Sequence, residues 1–176
     1  MAFLGVIMGC MFAEKTSELL RQVRLETILG KSVTVVVPDI DTRVVDVVYT
    51  HHGDSNGVTP VKVDHAHLSS FPVTTDVVAI DEGQFFIDLV AAVQGFLAKG
   101  KIVWVAGLSG DYRQRPLGHM LDLIPLADNV VHLRALCLVC RDGTKAAFSK
   151  RLDSHNTNAV DIGDCDKYVA VCRKHL

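Results

Sequence analysis

The sequence predicts one main α/β domain built on a mainly parallel sheet, followed by a small metal-bound lobe. Apolar runs alternate with helical patterns up to Leu133, and parallel strands need such crossover helices. After Leu133, cysteine pairs and short polar or β-branched stretches replace this alternation. We therefore expect the main domain to span residues 1–133 and the lobe to span residues 134–176.

The first half of the chain contains three candidate strands. Phe3–Met8 is a continuous apolar run, and a helical pattern with one apolar face begins at Lys15. Ser32–Val37 and Val44–Thr50 are rich in β-branched residues, which favours two further strands. Residues 53–70 are polar and rich in histidine and aspartate, which indicates a loop with short strand pieces.

The middle of the chain repeats the strand and helix pattern. Val77–Ile80 has the composition of a buried strand, and Phe86–Ala98 reads as an amphipathic helix that stops near Gly100. Ile102–Ala106 is a further buried strand. Trp104 and Met120 are expected in the core rather than at a site.

Composition excludes several classes of protein. The chain has 176 residues, 49% of them hydrophobic, which is enough for one substantial core. A formal net charge of −2 with mixed signs predicts no nucleic-acid or membrane partner. The apolar run Met1–Met11 is about half the ~20 residues of a membrane span. We expect a soluble, cytoplasmic protein whose partners are small molecules or copies of itself.

The segment from Gly9 to Thr16 reads Gly-Cys-Met-Phe-Ala-Glu-Lys-Thr and lies between a strand and a helix. This context favours a Walker A phosphate loop, and with it a P-loop NTPase (RecA-like) fold. The loop normally ends Gly-Lys-Ser/Thr, but Glu14 replaces the glycine. Its Cβ would crowd the phosphates or force an unfavourable φ. Taken alone, the segment also fits an ordinary strand–loop–helix junction.

Two acids, Asp81 and Glu82, follow the Val77–Ile80 strand directly. Ligands in parallel sheets bind at the carboxyl ends of the strands, so these acids belong at the same edge as the phosphate loop. An acid in this position can hold Mg²⁺, and its neighbour can take a proton from an attacking hydroxyl. A merely charged strand end is the alternative interpretation.

Four residues in two short-spaced pairs have the composition of a zinc site. Cys137 and Cys140 are separated by two residues, as are Cys172 and His175 about thirty residues later. Four protein ligands close a tetrahedron and leave no open position, so the expected Zn²⁺ is structural. Buried free thiols beside an exposed histidine would be the alternative.

Three stretches together resemble the type II thymidine kinases over essentially the whole chain. These are Asp81-Glu82-Gly83-Gln84-Phe85-Phe86, Gly107-Leu108-Ser109-Gly110-Asp111-Tyr112-Arg113, and Asp166-Lys167-Tyr168 before Cys172. The resemblance implies ATP-dependent phosphorylation of the 5′-hydroxyl of thymidine or deoxyuridine, with Mg²⁺ as cofactor. It also implies a homotetramer, and the family shares the two zinc pairs.

The resemblance assigns roles to individual residues. Glu82 would be the general base, while Thr16 and Asp81 would serve Mg²⁺. The residues assigned to the phosphates are Gly9, Met11, Phe12, Ala13, Glu14, Lys15, Thr16, Ser17 and Arg43. Those assigned to the nucleoside are Gln84, Phe85, Tyr112, Ile162, Gly163 and Tyr168.

Several residues depart from the family pattern. Besides Glu14, Cys10 stands where proline is usual, Ser109 where aspartate is usual, Asp164 where a small residue is usual and Leu117 where phenylalanine is usual. These changes motivate a second hypothesis, a weak or inactive kinase-like domain that acts as a binding or oligomerisation partner. A third hypothesis is a P-loop NTPase that hydrolyses ATP without a nucleoside acceptor.

Overall fold

The computed structural model describes residues 1–41, 59–152 and 167–176. The predicted strand Val44–Thr50 lies outside the described residues, as do Arg43, Ile162, Gly163 and Asp164. Among the described residues, no helix is long and apolar enough to cross a membrane.

A six-stranded parallel sheet forms the centre of the protein, as the alternating apolar runs predict. The strands follow the spatial order β3-β2-β4-β5-β1-β6, and every adjacent pair is parallel. They are β1 (Phe3–Gly9), β2 (Val33–Pro38), β3 (Val61–Val63), β4 (Val77–Ile80), β5 (Ile102–Leu108) and β6 (Asn129–Leu133).

In the part of the chain that the structure describes, two α-helices cover opposite faces of this sheet. Helix α1 (Lys15–Ile28) packs Leu19, Leu20 and Val23 against one face, together with Trp104. Helix α2 (Leu89–Ala98) packs against the other face, with Phe86 and Met120 in the same cluster. Successive strand residues belong in turn to the apolar clusters on the two faces, because neighbouring side chains of a strand point to opposite faces of the sheet. The core positions expected for Trp104 and Met120 are confirmed.

Helix α2 begins three residues later than the amphipathic pattern predicts. Phe86 is fully buried but has extended backbone angles, φ −80° and ψ 120°, and residues 83–85 form a short 3₁₀ turn. Asp88 precedes the helix, and its carboxylate accepts backbone hydrogen bonds from Leu68 and Ser69, at 3.1 and 2.8 Å. Contacts with a segment distant in sequence therefore determine where α2 starts.

The C-terminal part is built from two small antiparallel pairs. Strand β7 (Ala135–Leu136) pairs with β8 (Lys145–Ala146), and β9 (Phe148–Arg151) pairs with β10 (Tyr168–Val171). A third apolar cluster joins these strands to the loop after β1, through Cys10 and Ala13. We call this part, residues 134–152 and 167–176, the lobe.

Candidate active site

The loop from Gly9 to Thr16 connects β1 with α1 at the carboxyl edge of the sheet. Glu14 is the residue before the helix, and its backbone is left-handed, with φ 60° and ψ 32°. An L-residue in this region costs roughly 1–2 kcal/mol, whereas glycine adopts it freely. The structure thus gives a backbone reason for the glycine that a Walker A loop carries at this position.

The side chain of Glu14 is held over the first turn of α1. Its carboxylate accepts a hydrogen bond from the Ser17 hydroxyl. Negative charge is favourable at a helix N-terminus, where backbone N–H groups are unpaired. The same turn is where an anionic ligand of this loop would bind, so the carboxylate competes with it electrostatically.

Lys15 and Thr16 reach in different directions from the start of α1. The Lys15 ammonium donates a 2.8 Å hydrogen bond to the carbonyl of Cys10, so the side chain folds back across its own loop. The Thr16 hydroxyl donates a 2.9 Å hydrogen bond to Asp81 at the end of β4. The structure therefore brings the phosphate-loop residue and the first acid together, as the resemblance implies.

Asp81 is a buried carboxyl with 5% of its surface exposed. Burial and the adjacent charge of Glu82 raise the pKa of this carboxyl to about 7, although the Thr16 hydrogen bond and Lys15 act in the opposite direction. A bound cation would favour the ionised form. Mg²⁺ takes oxygen ligands, typically one or two carboxylates together with phosphate and water, so the Asp81 carboxyl fits this cation.

Glu82 and Gln84 form a hydrogen-bonded chain between the ends of β4 and β5. Glu82 has a left-handed backbone, with φ 53°, and its N–H donates to the Asp81 carboxylate at 2.9 Å. The Gln84 amide donates to the Glu82 carboxylate, and its carbonyl accepts the N–H of Leu108 at 2.9 Å. Gln84 is buried, so its amide orients the Glu82 carboxylate.

Tyr112 and Tyr168, both expected at the nucleoside pocket, contact the same arginine. The guanidinium carbon of Arg151 lies 4.0 Å from the ring centre of Tyr112. Its Nε and Nη2 donate to the Tyr168 hydroxyl at 3.2 and 2.6 Å. Sequence patterns did not identify Arg151, since an arginine in a short polar strand carries no signal of its burial.

Ser149 is a second residue that sequence analysis missed. Its hydroxyl accepts a 2.9 Å hydrogen bond from the backbone N–H of Met11, and the side chain is buried. The lobe therefore touches the phosphate loop directly. An open cavity of about 300 Å³ lies beside this contact, lined by Cys10, Asp111, His132 and Arg173 among others.

The four predicted zinc ligands converge at one point. The Sγ atoms of Cys137, Cys140 and Cys172 and the Nδ1 atom of His175 lie within 4.8 Å of one another. Four of the six distances between these donor atoms are 3.4 to 3.7 Å. These values are close to the edge of about 3.8 Å in a tetrahedron with zinc–sulfur bonds of ~2.3 Å. The donor set therefore fits Zn²⁺.

Backbone groups prepare one of these thiols for metal binding. Burial alone would raise the pKa of Cys137, but backbone N–H groups of Cys140 and Cys172 and the His175 ring outweigh it and lower this pKa to about 5. Since the thiolate is the form that binds metal, these bonds favour the ligating state.

Comparison with known proteins gives one consistent family. A family model described as thymidine kinase matches residues 2–176. Thymidine kinase a of Arabidopsis thaliana is 42% identical, and the aligned region covers 97% of this chain and 73% of that protein. The cytosolic thymidine kinase of Homo sapiens is 38% identical, with 96% and 70% covered. The thymidine kinase of Myxoma virus (strain Lausanne) is 37% identical, with 96% and 93% covered.

Proposed function

The chain belongs to the thymidine kinase family, and from this membership we propose that it transfers the γ-phosphoryl group of ATP to the 5′-hydroxyl of thymidine or deoxyuridine. The observation that carries the proposal is the 2.9 Å hydrogen bond between Thr16 and Asp81. This bond places the phosphate loop and the acid pair side by side, as phosphoryl transfer requires.

Glu82 is the proposed general base. Its carboxylate is adjacent to Asp81 and is oriented by the buried amide of Gln84. A general base must lie within hydrogen-bond reach of the proton that it removes. The hydrogen bond from Gln84 fixes the position of the Glu82 carboxylate, which helps to meet this requirement. The proton of the 5′-hydroxyl would pass to this carboxylate as the oxygen attacks phosphorus.

Asp81 and Thr16 are the proposed Mg²⁺ residues. Both offer oxygen donors, and a cation would offset the cost of ionising the buried carboxyl. When bound, Mg²⁺ neutralises charge on the phosphate oxygens. The residues proposed to bind the phosphates are those of the loop with the start of α1, namely Gly9, Met11, Phe12, Ala13, Glu14, Lys15, Thr16 and Ser17, together with Arg43.

The proposed nucleoside pocket lies between the main sheet and the lobe. Gln84 and Phe85 come from the 3₁₀ turn after β4, while Tyr112 follows β5 and Tyr168 begins β10. Ile162 and Gly163 are proposed to contribute backbone contacts to the base. The Zn²⁺ held by the lobe would stabilise the part of the pocket that carries Tyr168, without taking part in the chemistry.

A specific observation supports a second candidate function. Glu14 places a carboxylate at the phosphate-binding turn, where its charge opposes ATP binding, and its left-handed backbone lowers the stability of the loop. A kinase-like domain that binds nucleoside but turns over slowly, acting as an oligomerisation partner, would carry such a change. We also propose a homo-oligomer and a cytoplasmic location, by analogy with the family.

Formation of thymidine monophosphate tests the proposal directly. The unmodified chain, Glu14→Gly and Glu82→Gln are each incubated with thymidine and ATP·Mg²⁺. Product from the unmodified chain that disappears in Glu82→Gln supports a kinase with Glu82 as base. Product only from Glu14→Gly supports the partner function. Phosphate release that does not depend on thymidine would instead indicate an NTPase, and no product from any variant contradicts the proposal.

A further inference from the structure

Arg151 is a buried arginine at the junction of the lobe and the main sheet, with 8% of its surface exposed. Its guanidinium lies over the ring of Tyr112, which belongs to the loop after β5. It also donates two hydrogen bonds to the hydroxyl of Tyr168, the residue directly opposite it in the antiparallel β9–β10 pair. One side chain thus contacts two residues that are 56 positions apart in sequence.

Strand β9 contacts the main sheet at a second point two residues earlier. Ser149 and Arg151 are the buried residues of β9, and successive alternate residues of a strand point to the same face. The Ser149 hydroxyl accepts a hydrogen bond from the N–H of Met11 in the phosphate loop, while the Arg151 guanidinium lies over the ring of Tyr112. The exposed Lys150 between them faces the other way. This strand therefore docks the lobe on both the phosphate loop and the loop after β5.

We propose that Arg151 is the positioning residue of the nucleoside pocket, setting the distance between Tyr112 and Tyr168 so that a pyrimidine nucleoside fits between their segments. This inference rests on the proposed function, because it takes both tyrosines to line that pocket. It assigns no contact between Arg151 and the reacting atoms.

The chemistry of the guanidinium explains why this position favours arginine over lysine. A planar guanidinium stacks on an aromatic face and presents its Nε and Nη donors in a fixed fork. Both features are present here, since the guanidinium lies over the Tyr112 ring and its Nε and Nη2 atoms donate to the Tyr168 hydroxyl. An ammonium is a point charge without a stacking plane, so it can replace only part of this arrangement.

Calorimetric titration with thymidine tests the inference on the full zinc-loaded chain. In Arg151→Met we expect the Kd of thymidine to rise about 10- to 100-fold, because a cation–π contact and charged hydrogen bonds are lost. Arg151→Lys should recover only part of the affinity. The Kd of ATP·Mg²⁺ and the zinc content should stay unchanged, and a general loss of structure would alter both.

Arg113→Met is the matched control, since Arg113 also contacts Tyr112, with its guanidinium carbon 5.1 Å from the ring centre and its Nε donating a 2.8 Å hydrogen bond to the hydroxyl, but it is exposed. It should change thymidine affinity little. A double-mutant cycle with Tyr112→Leu adds a second measurement. If Arg151 acts through Tyr112, then Arg151→Met should weaken binding less in the Tyr112→Leu background than in the unmodified chain.

The possible results separate this inference from the proposed function. Thymidine binding that is equally tight in Arg151→Met and the unmodified chain overturns the role of Arg151 alone. Full recovery in Arg151→Lys also overturns it, because charge would then suffice without the planar fork. An unmodified chain that binds no thymidine overturns the proposed function, and this inference with it.

Discussion

The hydroxyl of Thr16, at the start of α1, donates a 2.9 Å hydrogen bond to Asp81, 65 residues later at the end of β4. The two residues meet because β1 and β4 both flank β5 in the sheet, so their carboxyl ends open at the same edge. Asp81 is buried beside Glu82, and its protonation is therefore coupled to the stability of the fold.

Replacing Asp81 with asparagine should stabilise the protein at alkaline pH. The folded-state pKa of about 7 lies above the ordinary 3.8, so the folded protein binds more protons than the unfolded chain between these values. The contribution of Asp81 to stability therefore falls as pH rises from about 4 to 7. In thermal unfolding, Asp81→Asn should be more stable than the unmodified protein at pH 8, and this difference in stability should shrink at pH 5. An equal gain at both values would contradict the raised pKa.

Affinity for ATP·Mg²⁺ should also depend on pH in the unmodified chain. Mg²⁺ binds the ionised carboxylate, so protonation of Asp81 below about pH 7 competes with the cation. We expect the affinity to weaken as pH falls from 8 to 6. Asp81→Asn provides the control, because its affinity should be weak and should lose this part of the pH dependence. Parallel pH profiles in both proteins would rule out Asp81 as the group responsible.

Glu14→Gly and Glu14→Ala should separate the effect of the Glu14 charge on ATP binding from the effect of its backbone conformation on stability. Alanine removes the charge but keeps the left-handed strain, whereas glycine removes both. A carboxylate about 4 Å from one phosphate charge costs on the order of 4 kcal/mol at an effective dielectric of 20. Calorimetry with ATP·Mg²⁺ should therefore show a similar large gain in affinity for both variants, whereas thermal unfolding should show higher stability for Glu14→Gly than for Glu14→Ala. No gain in either variant would mean that the loop accommodates Glu14.

Gly107→Ala should destabilise the protein, whereas Gly95→Ala should not. A Cβ at Gly107 would lie 2.6 Å from the Met120 sulfur and 2.7 Å from Gln84 Oε1, so the expected loss is about 1–3 kcal/mol. A Cβ at Gly95, inside α2, meets nothing within 4 Å, and replacing a helical glycine gains roughly 0.5–1 kcal/mol. Urea unfolding measures both. If Gly107→Ala were as stable as the unmodified protein, Met120 and Gln84 would be able to move aside.

Removing zinc should loosen the lobe and weaken nucleoside binding before it unfolds the main sheet. The ligands Cys172 and His175 follow directly after β10, which carries Tyr168. Cys172→Ser should lower zinc content and raise hydrogen exchange in β9 and β10, with β4 and β5 protected as before. Cys10→Ser is the control, because Cys10 lies outside the ligand cluster and should keep full zinc content. Unchanged exchange in Cys172→Ser would argue against a structural role for the metal.

Much of the fold could be predicted because its signals are local. The strands β1, β2, β4 and β5 follow apolar or β-branched runs, and the structure confirms β4 with the predicted bounds and the other three with ends shifted by one or two residues. The four residues that converge into a donor set fitting Zn²⁺ were identified from their spacing. The local pattern was wrong at Phe86, where the apolar periodicity predicts the start of a helix but the backbone is extended.

The sequence by itself determined the order of β1, α1, β2, β4, α2 and β5, and it identified the loop after β1, the acid pair and the cysteine pairs, because each depends on residues close together in the chain. Only the tertiary structure decided that Glu14 has a left-handed backbone, that Asp81 is buried beside Thr16, and that Arg151 joins Tyr112 to Tyr168. These features arise from packing between distant segments. Burial and pairing partners depend on which surfaces meet in the folded chain, and neighbouring residues in the sequence do not encode that information.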